Sequence, residues 1–393
     1  MDIMVERGAG LDVHQETVVA TIDGQGIRKA TQTFGTFTGE LERLRDWLKA
    51  NGITHVAMES TGIYWKPVFN ILETDFEVIL VNARHIKHVP GRKTDVTDSE
   101  WLCKLLRNGL LRGSFIPPSD IRELRDLTRY RRKLTEAISA EKNRVQKVLE
   151  DANIKISSVV SDTFGVSSTA IIEALLAVGK LRKKKDALHQ ALVGKITEHH
   201  TFLIQTSIGH IRSIEKLVTG IDKQIDEKLK PYQEEYELLQ TIPGVKQHAA
   251  ASIIAEIGVN MEQFPTADHL SSWAGMSPGN NESAGKKKAE RTTHGSKALR
   301  ATLTESSWAA SRTKNCYLKA KYHSLVGRRG KKRALIAVGH NMLVMIYHIL
   351  NHKIPYKELG IDYLDKRRKD KITKSYIKRL TALGFEVTIK EAA

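Results

Sequence analysis

The spacing of apolar residues changes partway along this chain, and that change limits what it can fold into. Up to Val81 the apolar residues come in short runs; from Ile121 they recur at steps of three and four. Residues 9–22 and 27–34 hold β-rich runs broken by Asp23-Gly24, a turn pair. Thr38–Ala50 places Leu41, Leu44, Trp47 and Leu48 at helical spacing, and Asn51-Gly52 stops it. His55–Met58 reads as a short strand, Trp65–Glu73 as a helix, and Glu77–Val81 as a continuous apolar strand. Three early strands, then alternating helix and strand, predict an α/β domain with a mixed sheet over residues 1–118. Within it Gly8-Ala9-Gly10 is a weak strand start, expected to fray unless the sheet holds it.

The later spacing predicts a mainly α region over residues 119–236. Leu124, Leu127, Leu134, Ile138, Val145 and Val148 form one stripe, with gaps at Arg131 and Glu141. Ile211, Ile214, Val218, Ile221, Ile225, Leu229 and Tyr232 form a second. Such stripes with charged flanks argue for a coiled coil, paired as an antiparallel hairpin or across subunits. Two ordinary amphipathic helices on a globular core are the alternative. Between them, Arg182-Lys183-Lys184-Lys185 is a solvated basic corner or a phosphate contact.

Four carboxylates of the first hundred residues stand out from the chain's 45 acids. Asp12 lies in Gly-Leu-Asp-Val-His on the first predicted strand. Glu59 ends a later one, at the strand end where open α/β sheets place their sites. Asp95 and Asp98 are three apart, so a helix through them would turn both to one face. Converging carboxylates raise one another's pKa and need a cation to stay ionised. Magnesium, a hard ion with oxygen ligands, or manganese in its place, suits them. Read singly, each acid is better explained as a solvated surface group; it is the set and its placement that point to a metal site.

Lys and Arg number 62 against 45 acids, a net charge of +17. That excess points to nucleic acid or another polyanion as partner. The most apolar stretch, Ala334–Leu350, is interrupted by His340, Asn341 and His348 and reads as a buried helix, not a membrane span. No secretory signal is evident, and Cys103 and Cys316 match no zinc spacing, so a cytoplasmic protein with free thiols is expected.

Towards the C-terminus, Thr241-Ile242-Pro243-Gly244-Val245 between helices is like the helix–hairpin–helix element that offers backbone N–H groups to DNA phosphates. Trp273 to Lys288 then forms a small-residue loop holding Ser277 and Ser283 beside Lys286, Lys287 and Lys288, followed by Arg291, Lys297 and Arg300. Glycines let backbone approach phosphate and the cations offset its charge; a flexible basic loop with incidental serines has the same composition. Ser296 is placed to cap a helix over Lys297–Ala310. The tail, Asp365–Arg379, is dense in Lys and Arg and expected to be only partly ordered.

Taken in order, these motifs are familiar. Leu-Asp-Val, Met-Glu-Ser-Thr-Gly-Ile-Tyr-Trp and Arg-Lys-Thr-Asp-Val-Thr-Asp-Ser lead into a helical middle, then Ile-Pro-Gly-Val and Gly-Met-Ser-Pro-Gly-Asn-Asn-Glu-Ser-Ala-Gly-Lys. From residue 8 to 352 the chain resembles the bacterial insertion-sequence transposases with an Asp-Glu-Asp-Asp RuvC-like N-terminal domain, a family of bridge-RNA-guided recombinases. The resemblance implies an RNase H-like domain with metal at Asp12, Glu59, Asp95 and Asp98. It implies a transposase domain over 237–352; the basic tail over 353–393 is longer than that family leads one to expect. That domain would supply a serine, by motif position Ser283, which attacks a DNA phosphate in a composite site of both domains. Many relatives carry Ser-Ser-Gly where this chain has Ser283-Ala284-Gly285, which keeps Ser277 as a second candidate. Donor and target DNA, a guide RNA and a homodimer or homotetramer are the implied partners. A junction-resolvase type of nuclease using water, and a non-catalytic nucleic-acid scaffold, are the competing functions.

Overall fold

The computed structural model describes residues 4–60, 62–82, 97–160, 163–165, 194–278, 282–283, 286–287, 292, 294–367 and 369–388. Asp95, Lys288, Arg291 and the Arg182-Lys183-Lys184-Lys185 run lie outside them. The chain divides into two compact units, Met1–Ile116 and Pro117–Ala393.

The first unit is built on a five-stranded mixed sheet. Its strands are β1 (Arg7–Val13), β2 (Thr17–Gly24), β3 (Ile27–Gly35), β4 (His55–Glu59) and β5 (Glu77–Val81), in the order β3-β2-β1-β4-β5. The β3-β2-β1 half is antiparallel and the β1-β4-β5 half parallel. Alternation along each strand sorts residues onto two faces. Ala9, Leu11 and Val13 of β1, Val18, Ala20 and Ile22 of β2, and Val56 and Met58 of β4 line one of them. That face is covered by Leu41, Leu44 and Leu48 of α1 (Thr38–Ala50) and by Val68, Phe69 and Leu72 of α2 (Trp65–Leu72). Each such side chain contributes about 1.5–3 kcal/mol on burial.

On the opposite face lies α3 (Asp98–Arg107), whose Trp101, Leu102 and Leu105 pack with Val81 and Ile79. Its backbone rests directly on β1. A Cβ on Gly10 would stand 2.1 Å from the Ser99 carbonyl oxygen and 2.4 Å from the Cys103 nitrogen. The glycines that weaken β1 as an isolated strand are thus what admits this helix. β1 is the central strand, paired along its length with β2 and with β4 over Gly8–Leu11. Thr21 and Ser99, both fully buried, satisfy each other across the contact at 2.8 Å between hydroxyl oxygens, and Thr31 continues the chain at 2.9 Å.

The second unit begins with two long helices, α4 (Ser119–Asp151) and α5 (Glu198–Leu229). Cross-pairs Glu123–Lys228, Arg131–Asp222 (2.5 Å), Glu141–His210 (3.2 Å) and Asp151–His200 (3.0 Å) fix them as an antiparallel hairpin. Both gaps in the apolar stripe, Arg131 and Glu141, are therefore sites of polar bonds between the helices. Burial works against ionisation of Glu141, but hydrogen bonds from His210 and Ser207 and the Arg144 charge outweigh it and hold the carboxyl below its usual range. A depressed carboxylate pKa adds stability that is complete above the unfolded value, about 4.3, and is lost as pH falls through the folded value. Melting temperature is accordingly expected to drop in that acid window, and Glu141→Gln to flatten this part of the profile.

Helices α6 (Gln233–Gln240), α7 (Gln247–Ile257), α8 (Ala267–Trp273), α9 (Lys297–Ala310), α10 (Tyr317–Arg329) and α11 (Lys331–His352) follow. α11 has the length and apolar composition to cross a membrane, yet Ala334, Val338, Met342, Leu343, Ile346 and Leu350 are buried within this unit. It packs as a core helix against α8, α9 and α10. In the turn between α6 and α7, Gly244 has φ +88° and lies against the α9 backbone, 2.3 Å from Ser306 O to an added Cβ. Packing thus accounts for this glycine. The first part of the tail packs on the rest of the second unit, and two helices follow. Glu358 accepts from the Tyr317 and Gly360 backbones at 2.8 and 2.9 Å, Leu364 is buried, and α12 (Tyr363–Arg367) and α13 (Lys369–Ala382) are helical.

Candidate functional site

β1 and β4 run in parallel with Gly8–His55, Ala9–Val56, Gly10–Ala57 and Leu11–Met58 in register. One step further along both strands come Asp12 and Glu59, on strands about 4.8 Å apart. Leu11 and Met58 belong to the core under α1 and α2. The two carboxylates therefore project from the other face, the one carrying α3. That helix runs against β1, since Gly10 lies under Ser99 and Cys103 while Gly8 lies under Leu106 and Arg107. Its first residue, Asp98, is consequently carried to the end of the sheet where Asp12 and Glu59 stand.

Thr97, with extended backbone, caps this helix by accepting from Glu100 N at 3.4 Å. The N-terminal end of this helix, the positive end of its dipole, lies at the same end of the sheet as Asp12 and Glu59. The helix starts at Asp98, and Asp95, expected on the same helical face, lies outside the described residues. Asp12 is bonded to His14 Nε2 at 3.1 Å. His14 was not singled out from the sequence, although its two-residue offset places it on the same face of the chain as Asp12. Asp12, Glu59 and Asp98 offer oxygen donors only, which suits a hard divalent cation. Among the described residues no group of three His, Cys, Asp or Glu side chains is arranged to hold an ion.

In the second unit the serine-bearing loop is a hairpin held at its base. Glu282–Ser283 pairs antiparallel with Lys286–Lys287, and Pro278 bridges Thr292. Gly295 packs on Ala274 and Gly275 so closely that a Cβ there would come within 2.2 Å of Ala274 C. Arg300 Nη2 donates to Gly275 O at 2.7 Å, so part of its donor set serves the loop base instead of an open phosphate contact. Ser277, half-buried, sits at that base, while Ser283 lies in the paired strands beyond it. Lys297 is exposed in the first turn of α9, and Ser296 caps that helix through Leu299 N at 3.2 Å.

Sequence reasoning missed the groups behind this base. Glu256 of α7 is 2% exposed and takes two hydrogen bonds from Arg129, 127 residues away on α4. No local pattern signals a pair so distant in sequence.

Carboxylates at the ends of parallel strands and a serine among lysines are the groups with which proteins act on phosphodiesters. Comparison with known families narrows the class. The DEDD transposase profile of the IS110 kind matches residues 9–154, and the profile described as Transposase IS116/IS110/IS902 family matches residues 236–323. Together they span more than half of the sequence, and the chain belongs to the IS110 family of bacterial insertion-sequence transposases with a DEDD N-terminal domain. No curated protein matches it significantly. Membership implies action on DNA and dependence on a divalent metal ion.

Proposed function

We propose that the chain is a recombinase that cuts and rejoins DNA at the ends of its insertion sequence through a serine nucleophile, guided by a bridge RNA. The observation that carries this reading is the side-by-side placement of Asp12 and Glu59 at parallel strand ends, with Asp98 opening the helix over them. The strand order, three antiparallel then two parallel, supports an RNase H-like, RuvC-like domain as their carrier. Asp12, Glu59 and Asp98, with Asp95, are the residues that would hold magnesium or manganese. A divalent ion bound there supplies Lewis-acid stabilisation of charge building on a phosphate.

The protein's own contribution is the nucleophile. Ser283 Oγ bonds to phosphorus, one bridging P–O bond of the strand breaks, the serine proton leaves to solvent and the departing oxygen gains one. The phosphoserine ester keeps the phosphate activated, so the hydroxyl of another strand can displace Ser283 and restore a phosphodiester. Lys286, Lys287, Lys288, Arg291 and Lys297 offset backbone charge nearby. The net charge of +17 suits a protein carrying RNA as well as DNA, with sequence choice left to base pairing.

The test is to react the protein and its copurified RNA with DNA bearing the element's ends, then resolve the products on a denaturing gel. A protein–DNA adduct whose peptide maps to Ser283 is expected. Hydrolysed ends without adduct indicate a nuclease using water, and binding without cleavage a scaffold. Calorimetric titration with Mn²⁺ examines the carboxylates separately. Asp12→Asn and Glu59→Gln are each expected to weaken binding at least about tenfold, and unchanged affinity removes them from the metal's coordination.

A further inference from the structure

The base of the Ser283 hairpin is gripped by a buried charge for which the proposed chemistry has no use. Glu256 lies one residue before the end of α7 and is 2% exposed. Arg129 Nε and Nη2 donate to its two oxygens at 2.7 and 2.9 Å, and Ser296 Oγ donates at 2.9 Å. The same Ser296 hydroxyl accepts from Leu299 N, so one side chain both caps α9 and ends the segment leaving the loop. Arg125, one turn before Arg129, donates to the carbonyls of Ala255 and Glu256 at 2.9 and 2.7 Å. Two arginines of α4 therefore hold the C-terminal end of α7, and through Glu256 they reach the start of α9.

Stability alone does not explain this arrangement. Glu256 loses its solvation here while Arg129 stays half-exposed, and well-packed apolar residues in place of such a buried charge are often equally stable. Ser296 needs no carboxylate behind it to cap a helix. What the carboxylate adds is direction: it fixes where the returning limb of the hairpin meets the helices. The entering limb is tied to that limb by Gly295 on Ala274 and Gly275, and by the Pro278–Thr292 bridge. A displacement at Ser296 is thus passed to the paired strands that hold Ser283.

We propose that Arg129 and Glu256 are positioning residues that set the place of Ser283 by latching Ser296. The inference rests on the reading of Ser283 as nucleophile. A misplacement of about 1 Å at a reacting group costs on the order of a hundredfold in rate.

The experiment compares Ser296→Thr, Ser296→Asp and Glu256→Gln in the full chain with its RNA. Threonine keeps the hydroxyl for Glu256 and the acceptor for Leu299 N. Aspartate keeps a good cap but sets a second carboxylate against Glu256. Ser296→Asp and Glu256→Gln are expected to slow adduct formation at saturating DNA about a hundredfold, with DNA affinity within about twofold and Ser296→Thr near the parent rate. Tryptic cleavage after Lys286 and Lys287, followed by mass spectrometry, should quicken in the same two variants. A folded Ser296→Asp protein with parental adduct rate and parental cleavage overturns the latch; if that variant does not fold, Glu256→Gln decides by the same criteria. Should Ser283→Ala still form adduct, the nucleophile reading fails instead, and the cleavage rates alone judge the latch.

Discussion

Ser283→Ala is expected to lower strand joining by at least about a thousandfold while DNA and RNA affinity stay within about twofold. In the proposed reaction Ser283 Oγ is the atom that bonds to phosphorus, so its removal takes several kcal/mol of barrier lowering with it. Affinity depends on charge neutralised along the backbone, and alanine leaves every cation in the loop intact. Ser277→Ala is the necessary comparison. That residue sits at the hairpin base before the Pro278–Thr292 bridge, and its replacement is expected to keep most of the rate. Covalent adduct on the denaturing gel is the readout. Abolition by Ser277→Ala with retention in Ser283→Ala would exchange the two roles.

The second large effect is structural. Gly10→Ala is expected to destabilise the first unit by more than about 3 kcal/mol, beyond the usual cost of an extra methyl in a core. The atoms in the way are the Ser99 carbonyl oxygen at 2.1 Å, the Cys103 amide nitrogen at 2.4 Å and Leu102 Cβ at 2.9 Å. Two belong to the backbone of α3, so no rotamer change relieves the clash and the helix must lift. Lifting it breaks the Thr21–Ser99 hydrogen bond and the Cys103 Sγ contact to Gly8 O at 3.3 Å, and it carries Asp98 away from Asp12 and Glu59. A fall in melting temperature of about 10 °C or more should accompany it. Gly39→Ala in α1, where an added Cβ meets nothing within 4 Å, should be neutral or slightly stabilising. Equal melting temperatures for the two variants would refute the close approach of α3.

Much of this architecture was legible because it is written locally. Thr38–Ala50 and Lys297–Ala310 form helices with the bounds that their spacing and stop signals indicate, the latter capped by Ser296. Asp12 and Glu59 fall at strand ends because hydrophobic runs stop there. What escaped sequence reading depends on partners far along the chain. Gly8 and Gly10 look like defects until α3 is known to cross them. Arg131 and Glu141 look like interruptions until Asp222 and His210 face them. Asp98, by contrast, opens its helix behind the Thr97 cap, which the Thr-Asp-Ser run signals locally. Glu256 carried no signal, since a lone acid near a helix end says nothing of an arginine 127 residues away.

The antiparallel pair α4 and α5 also acts as a ruler. Arg125 and Arg129 clamp one end beside the serine loop, and Asp151 closes the other end against His200. At 1.5 Å per residue the rod between Arg129 and Asp151 extends about 33 Å. The distal tip therefore stands well away from the clamp, and deleting turns from both helices together would shorten that interval in steps of about 5.4 Å.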